Sequence, residues 1–400
     1  MDEKGLSNFF ENYLKKDSIF LNKGVLQSTY TPGEIPHREE QIKQIANILA
    51  PALRMERTSN IFIYGKTGTG KTVCVKHTAQ KLEEVAKQNN IKLKIVYVNC
   101  KLSKVADTEY RLIAQLVREF GKEIPPTGLP TGEVYQIFYK TIEEERQRII
   151  LILDEIDQLV NRASDILYNL TRINAELKNA QISIIGISNN LVFADNIDPR
   201  VKSSLSEEEL VFPPYNALQI QDILSQRTKK AFRQDALEQG LIEKCAAYAA
   251  KDHGDARRAL ELIRVAGELA ERNNEEKVPI KYLDLAEEKI EKDRITDTIM
   301  TQPQQFKATL YAALALDKGK KTILTGDIYD TYKQICSKTG IRPLTQRRVS
   351  DIIAEFDMLG IINAKVISKG RYGRTREISI AMPAQIEGKI RETLAKELGA

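Results

Sequence analysis

The chain has 400 residues, 42% of them apolar, with 60 basic and 55 acidic side chains and a formal charge of +5. Such a length exceeds one ordinary hydrophobic core and implies two or three domains. No uncharged apolar stretch of about 18 residues occurs, and the first residues (Asp2, Glu3, Lys4) carry no apolar run, so neither a membrane span nor a signal peptide is expected and an intracellular location is. Cys74, Cys100, Cys245 and Cys336 form no C-x-x-C pair and only three histidines accompany them, a pattern of reduced, buried thiols rather than of a zinc site. Charge is uneven: residues 1–302 hold 43 basic and 45 acidic side chains, whereas residues 303–400 hold 17 and 10. A basic C-terminal end suggests a polyanionic partner such as nucleic acid.

Residues 1–30 show no clear periodicity and read as a loosely held arm. A turn-rich segment, Thr31–Pro36, leads into a helix in which Ile42, Ile45, Ala46, Leu49 and Leu53 recur at helical spacing. That helix precedes the first strand and is placed to close over a nucleotide base, with His37 and Arg38 at its start as candidate contacts.

The apolar run Ile61–Tyr64 then feeds into Gly65-Lys66-Thr67-Gly68-Thr69-Gly70-Lys71-Thr72, a G-x-x-x-x-G-K-T loop. Glycines allow a tight turn whose backbone N–H groups face inward, and the following helix points its positive end at the same spot, so polyphosphate is the natural occupant. Lys71 reaches the β- and γ-phosphates, and the Thr72 hydroxyl is placed to ligate Mg²⁺. These residues predict ATP or ADP with Mg²⁺ as cofactors.

Helix 72–89, strand 93–99, helices 106–120 and 134–145 and the uninterrupted apolar strand 149–153 alternate as in an α/β protein with a buried parallel sheet. Ligands of such sheets collect at the carboxyl ends of the strands, where Asp154 can hold Mg²⁺ through its water shell and Glu155 can deprotonate an attacking water. The next strand, 182–188, delivers Asn189 to the same edge, and a fifth strand is expected at 210–212. Pro213-Pro214 marks a boundary to a small all-helical region, in which Arg257 and Arg258 open the helix 256–271.

After Pro303 come helices 305–316, 327–338 and 345–359, a basic turn at 318–321, and a hairpin with strands 361–367 and 376–380. Three helices and a β-wing make a winged helix. Thr345, Gln346, Arg347 and Arg348 begin its third helix, placed for phosphates and base edges in a major groove. Lys365, Lys369, Arg371, Arg374 and Arg376 make the wing basic, with Arg371 or Tyr372 candidates for a minor groove. Asp351, Glu355 and Asp357 confine DNA contact to the first turn of that helix.

The phosphate loop, Asp154-Glu155-Ile156-Asp157, Gly186-Ile187-Ser188-Asn189, Asp198-Pro199-Arg200-Val201-Lys202-Ser203-Ser204 and Gly254-Asp255-Ala256-Arg257-Arg258 together resemble the initiator clade of AAA+ ATPases, and within it the archaeal origin-recognition and replication-licensing initiators. The resemblance implies an AAA+ parallel-sheet core (31–212), an all-helical lid (213–300) and a C-terminal winged-helix domain (301–400), following the arm at 1–30. It makes Asn189 the first sensor, Arg257 the second, and Arg200 an arginine finger acting on ATP held by a neighbouring subunit. It also implies an insert that touches DNA, at 102–120. The expected function is ATP-controlled origin binding, with slow hydrolysis as a switch and loading of the replicative minichromosome-maintenance helicase. Expected partners are origin duplex DNA, that helicase, and a second copy or a paralogue on DNA. A hexameric motor resembling branch-migration proteins, and a nucleotide-switched regulator whose winged helix binds protein, are the competing readings.

Overall fold

In the computed structural model residue 11 and residues 17–399 are described, except 102–108, 126–127, 160–163, 192, 194–198, 252–253, 318–322, 369–373 and 383. The chain divides into two units, 1–283 and 284–400.

In the first unit α1 (Glu39–Leu49) precedes β1 (Ile61–Tyr64), α2 (Lys71–Gln88), β2 (Leu93–Asn99), α3 (Glu109–Glu119), α4 (Thr131–Glu143), β3 (Arg148–Asp154), α5 (Ser164–Arg172), β4 (Gln181–Ser188), α6 (Pro199–Leu205) and β5 (Glu208–Val211). The strands pair in the order β2-β3-β4-β1-β5, every pair parallel. All seven residues of β3 are buried, as its unbroken apolar run requires between two layers of helix. Alternation divides the run: Ile149, Leu151 and Leu153 join a core with α3, α4, α5 and α6, while Ile150 and Ile152 join a second core with α1 and α2. At the edge, β5 keeps Glu208 and Glu209 exposed, charges that discourage a further strand. The first helix ends at Leu49 rather than Leu53, passing into a 3₁₀ turn at Ala50–Arg54 because Pro51 cannot donate to the α-helical ladder.

The lid helices are α7 (Ala217–Ala231), α8 (Leu241–Lys251) and α9 (Ala256–Arg272). Residues 17–30 depart from the expected loose arm and pack against them. Ile19, Phe20, Val25 and Leu26 are buried, Phe20 lies 4.6 Å from the Phe232 ring, and Ala231 O accepts from the Leu21 and Asn22 amides. Lys23 and Ser18 both bond Glu271, Lys23 at 2.7 Å. A Cβ on Gly267 would meet the Phe20 ring at 2.5 Å, so the mid-helix glycine makes the notch in which that ring sits. Four apolar residues in so short a strap leave no periodic trace in the sequence, which is why tertiary contact alone reveals it.

The helix α10 (Lys281–Met300) spans the division between units, and its Ile295 and Ile299 enter the core of the second. There α11 (Gln304–Leu316), β6 (Ile323–Leu324), α12 (Thr325–Thr339), α13 (Gln346–Met358), β7 (Ile362–Ser368), β8 (Arg374–Ile380) and α14 (Ala384–Leu398) form a winged helix with an antiparallel sheet in the order β6-β8-β7. Two elements go beyond the sequence expectation. The strand β6 is two residues long, too short for a pattern. The helix α14 buries Ile386, Ile390, Leu394 and Leu398, and its Glu397 pairs with the buried Lys307 of α11.

Candidate functional site

The carboxyl ends of β1, β3 and β4 and the N-terminus of α9 meet at a cavity of about 660 Å³. Its floor is the loop before α2. Gly68 and Gly70 take left-handed φ values of +68° and +92°, and at Gly68 a second demand applies: a Cβ would lie 1.7 Å from Asp255 Oδ1. Asp255 caps α9 by accepting from the Arg257 and Arg258 amides at 2.8 and 3.1 Å, and Ala256 N donates to Gly68 O at 3.3 Å. Loop and lid helix are therefore in backbone contact. Lys71 Nζ donates to Gly65 O and Lys66 O, both at 2.7 Å, and Thr69 Oγ1 also donates to Lys66 O, so the early part of the loop is held as a cup. Burial pulls Lys71 down from the usual lysine range to about 8, with Asp154 pushing it up and Arg257 pushing it down.

Thr72 Oγ1 donates to Asp154 Oδ2 at 2.9 Å, and the Glu155 amide donates to Asp154 Oδ1 at 3.0 Å. These two groups fit Mg²⁺, which keeps most of its waters and takes one or two protein ligands beside substrate phosphates. Glu155 occupies the left-handed region (φ +54°, ψ +44°), a strained geometry for a residue with a Cβ. Lys101 Nζ stands 3.8 Å from that carboxylate. Asn189 lines the cavity from the end of β4, where Asp157 Oδ1 accepts from Ser188 Oγ at 2.9 Å and from the Asn189 amide at 3.4 Å. The exposed Arg257 lines it from the lid, whereas Arg258 does not, which separates the two arginines the sequence left adjacent.

Gly68, Thr69, Gly70, Lys71, Thr72, Asp154, Glu155, Asn189 and Arg257 thus converge. Gly65, Lys66 and Thr67 stand outside the cavity lining; the first two supply the carbonyls that hold Lys71, and Thr67 is exposed. His37 and Arg38 are not brought to the cavity either. Arg38 is 3% exposed, donates to Thr69 O at 2.9 Å and to Pro213 O at 2.5 Å, and stacks 3.9 Å from the Tyr215 ring, so it braces the loop against the start of the lid. His37 pairs with Asp222 of α7 at 2.9 Å. Arg200 is exposed on α6 over the Tyr168 ring at 4.9 Å, away from this chain's own cavity. Asp198, which begins its motif, lies outside the described residues.

In the second unit Thr345 caps α13, its Oγ1 accepting from the Arg348 amide at 3.4 Å, and Gln346, Arg347 and Arg348 are exposed on the first turn. Arg348 leans to within 3.9 Å of Glu355, which leaves Arg347 the cation of that turn with no carboxylate described beside it. Two expected wing cations are otherwise engaged: Arg376 donates to Ser350 O at 2.6 Å, fastening β8 to α13, and Lys365 faces Glu377 across the β7–β8 ladder. Lys369, Arg371, Tyr372, the side chain of Arg374 and the basic turn at 318–321 lie outside the described residues. Of the insert expected to touch DNA, 102–108 is likewise outside. Its helix α3 is described and buries Leu112, Ile113, Ala114, Leu116 and Val117 in the sheet core.

Three family models match the chain: "AAA domain" over residues 54–191, "Cdc6 AAA+ ATPase-type lid domain" over 221–288 and "CDC6, C terminal winged helix domain" over 297–387. An ORC1-type DNA replication protein of Thermococcus onnurineus is 52% identical over 386 residues, covering 95% of this chain and 92% of that relative. The chain belongs to the Orc1/Cdc6 family of DNA replication initiators. An ORC1-type DNA replication protein 1 of Archaeoglobus fulgidus is 50% identical over 385 residues, 96% of this chain and 93% of the relative. Among solved structures, the Aeropyrum pernix ORC1 protein in complex with DNA is similar with a TM-score of 0.87 and 43% identity, over 96% of this chain and 98% of that one. The fold is accordingly that of an AAA+ P-loop core with helical lid and winged helix, as the motifs implied.

For this Orc1/Cdc6 chain the sequence reading passed over several groups at the site. Asp255 was legible, since an Asp before a helix is an N-cap signal. Asp157 was quoted within its motif without a role, yet it fixes the end of β4. Tyr30 and Arg227 line the cavity from strap and lid, Arg227 standing 4.6 Å over the Tyr30 ring and donating to Val25 O at 3.2 Å; nothing local marks either.

Proposed function

We propose that the first unit binds ATP with Mg²⁺ and hydrolyses it slowly as a switch, while the second unit binds origin duplex DNA and the whole chain helps load the replicative minichromosome-maintenance helicase. The observation that carries this reading is the convergence of Lys71, Thr72, Asp154, Glu155, Asn189 and Arg257 on one cavity. Loop amides and the α2 N-terminus receive the phosphates, Lys71 leaves its two carbonyls for the β- and γ-phosphate oxygens, and Thr72 with Asp154 holds Mg²⁺. The metal, when bound, neutralises charge on the phosphates. Glu155 takes the proton of the attacking water, which Asn189 orients, and Arg257 draws the lid toward the γ-phosphate.

Arg200 acts on the nucleotide of a second copy or of a paralogue, so turnover rises on assembly. Its exposure on α6, outside its own cavity, supports this arrangement. For DNA, Gln346 and Arg347 enter a major groove from the first turn of α13, with Lys369, Arg371, Tyr372 and Arg374 of the wing reaching the flanking backbone. The similar Aeropyrum pernix ORC1 protein in complex with DNA supports DNA binding as such.

Duplex binding and ATPase measured side by side on Lys71→Ala and Arg347→Ala test the division. Lys71→Ala is expected to lose ATPase and keep nucleotide-free duplex affinity within a few fold. Arg347→Ala is expected to weaken duplex binding about tenfold and flatten its salt dependence, with ATPase intact. The reverse pattern would refute the division of labour.

A further inference from the structure

On β2, between the phosphate loop and the carboxylate that ends β3, stands a tyrosine to which no role has yet been given. The phenol of Tyr97 donates to Asp154 Oδ2 at 2.8 Å, the same oxygen that accepts from Thr72 at 2.9 Å. Asp154 Oδ1 accepts from the Glu155 amide, so three donors from three elements fix both oxygens of one carboxylate. Strand register explains the reach. Asn99 lies directly beside Asp154 and Tyr97 beside Ile152, so the half-buried Tyr97 side chain meets Asp154 on the diagonal across the parallel pair. On its other side the ring carries Lys76, one turn along α2 from Thr72, with Nζ 3.7 Å from the ring centroid. A cation on the face of a phenol withdraws electron density and makes the hydroxyl a better donor. Tyr97 and Lys76 both line the nucleotide cavity.

We infer that Tyr97 is a positioning residue for the magnesium ion: it locks the rotamer of Asp154 so that the carboxylate receives Thr72 and metal-bound water in one fixed orientation, and Lys76 strengthens that lock. The inference deepens the nucleotide-binding reading and rests on it. A neutral phenol suits the task because it donates one directed hydrogen bond without adding a charge that would compete with the cation. Removing the phenol leaves the Asp154 carboxylate free to turn about its last bond, and its water-mediated hold on the ion loosens while the loop that grips the phosphates stays as it was.

The test is Tyr97→Phe, which keeps the ring and its contact with Lys76 and deletes only the hydroxyl. ADP affinity is measured by calorimetry across a magnesium titration and again in EDTA. The expected result is an unchanged affinity in EDTA and a rise of about tenfold in the magnesium concentration giving half of the metal-dependent gain. Lys76→Met, which spares the phenol, is expected to shift the same midpoint in the same direction by a smaller factor. An unaltered midpoint in Tyr97→Phe overturns the inference, and so does an equal loss of affinity with and without magnesium, which marks the tyrosine as a packing residue. Failure of the unsubstituted protein to bind ADP in any condition strikes the nucleotide reading itself, a separate outcome.

Discussion

Lys71→Met weakens ATP binding by a few hundredfold, below ready detection, and at the same time leaves the nucleotide-free protein as stable as before or more so. Both halves follow from one side chain. The ammonium is 4% exposed, and burial holds it near pKa 8 against an ordinary lysine value of 10.5. That depression represents roughly 3 kcal/mol of net cost to the charged form at neutral pH, even though the ammonium bonds the carbonyls of Gly65 and Lys66. Methionine keeps the stem and removes the charge, so the melting transition of the first unit moves up or stays, while phosphate loses a buried charged donor worth about 3–4 kcal/mol.

The pH dependence has a definite sign. A lysine whose folded pKa lies below its unfolded one is held by the unfolded chain as the better proton acceptor, so its contribution to stability rises as pH climbs from about 8 to 10.5. Nucleotide affinity runs the other way. Only the charged form serves phosphate, and bound phosphate raises the pKa, so affinity is flat below pH 8 and falls up to about tenfold per unit above it. Calorimetric titrations of the unsubstituted protein between pH 7 and pH 9.5 check this; a flat profile contradicts it.

Gly68→Ala is expected to be the most damaging single methyl in the first unit. The added Cβ would sit 1.7 Å from Asp255 Oδ1 and 2.2 Å from its Cγ, and φ is +68°, where a side chain strains the backbone by about 1–2 kcal/mol. Asp255 cannot simply swing aside, since it caps α9, and releasing a cap removes a further 1 kcal/mol or so. The lid helix is pushed off the loop and carries Arg257 with it. We expect a loss of about 2–4 kcal/mol in stability and a loss of nucleotide binding, read by thermal melting and calorimetry. The double variant Gly68→Ala/Asp255→Gly is expected to recover only the part due to the clash with Asp255, about 1 kcal/mol, because glycine is a serviceable N-cap while the backbone strain at φ +68° remains. A neutral Gly68→Ala would mean that loop and lid do not approach as closely as described.

What could be read from the sequence was what is local. Lys71, Thr72, Asp154 and Glu155 sit where a strand turns into a helix or ends, and apolar run, glycine spacing and charge mark such places without any tertiary knowledge. Apart from the two-residue β6, the strands followed from their apolar runs to within a residue or two. Arg38 shows the opposite case: a polar residue at a helix start reads as a base contact, yet its partners, Thr69 and Pro213, are 31 and 175 residues away. Tyr97 is similar, since its register against β3 decides what it touches. The strap at 17–30 has its buried apolar residues in two short pairs, Ile19-Phe20 and Val25-Leu26, which no periodicity could rank above a loop. On the wing, Arg376 is drawn into the fold by the Ser350 carbonyl and Lys365 faces Glu377, and sequence alone does not distinguish a cation that holds the protein from one that holds DNA.

Hydrogen exchange of the intact chain with and without Mg·ATP locates the ligand most directly. The account predicts slowed exchange at 65–76 and 254–260, with protection also at 154–158 and in the strap residues 27–36, and none of it in Lys71→Met. Saturating ATP that leaves these four segments unprotected, or that protects others in their place, would contradict it.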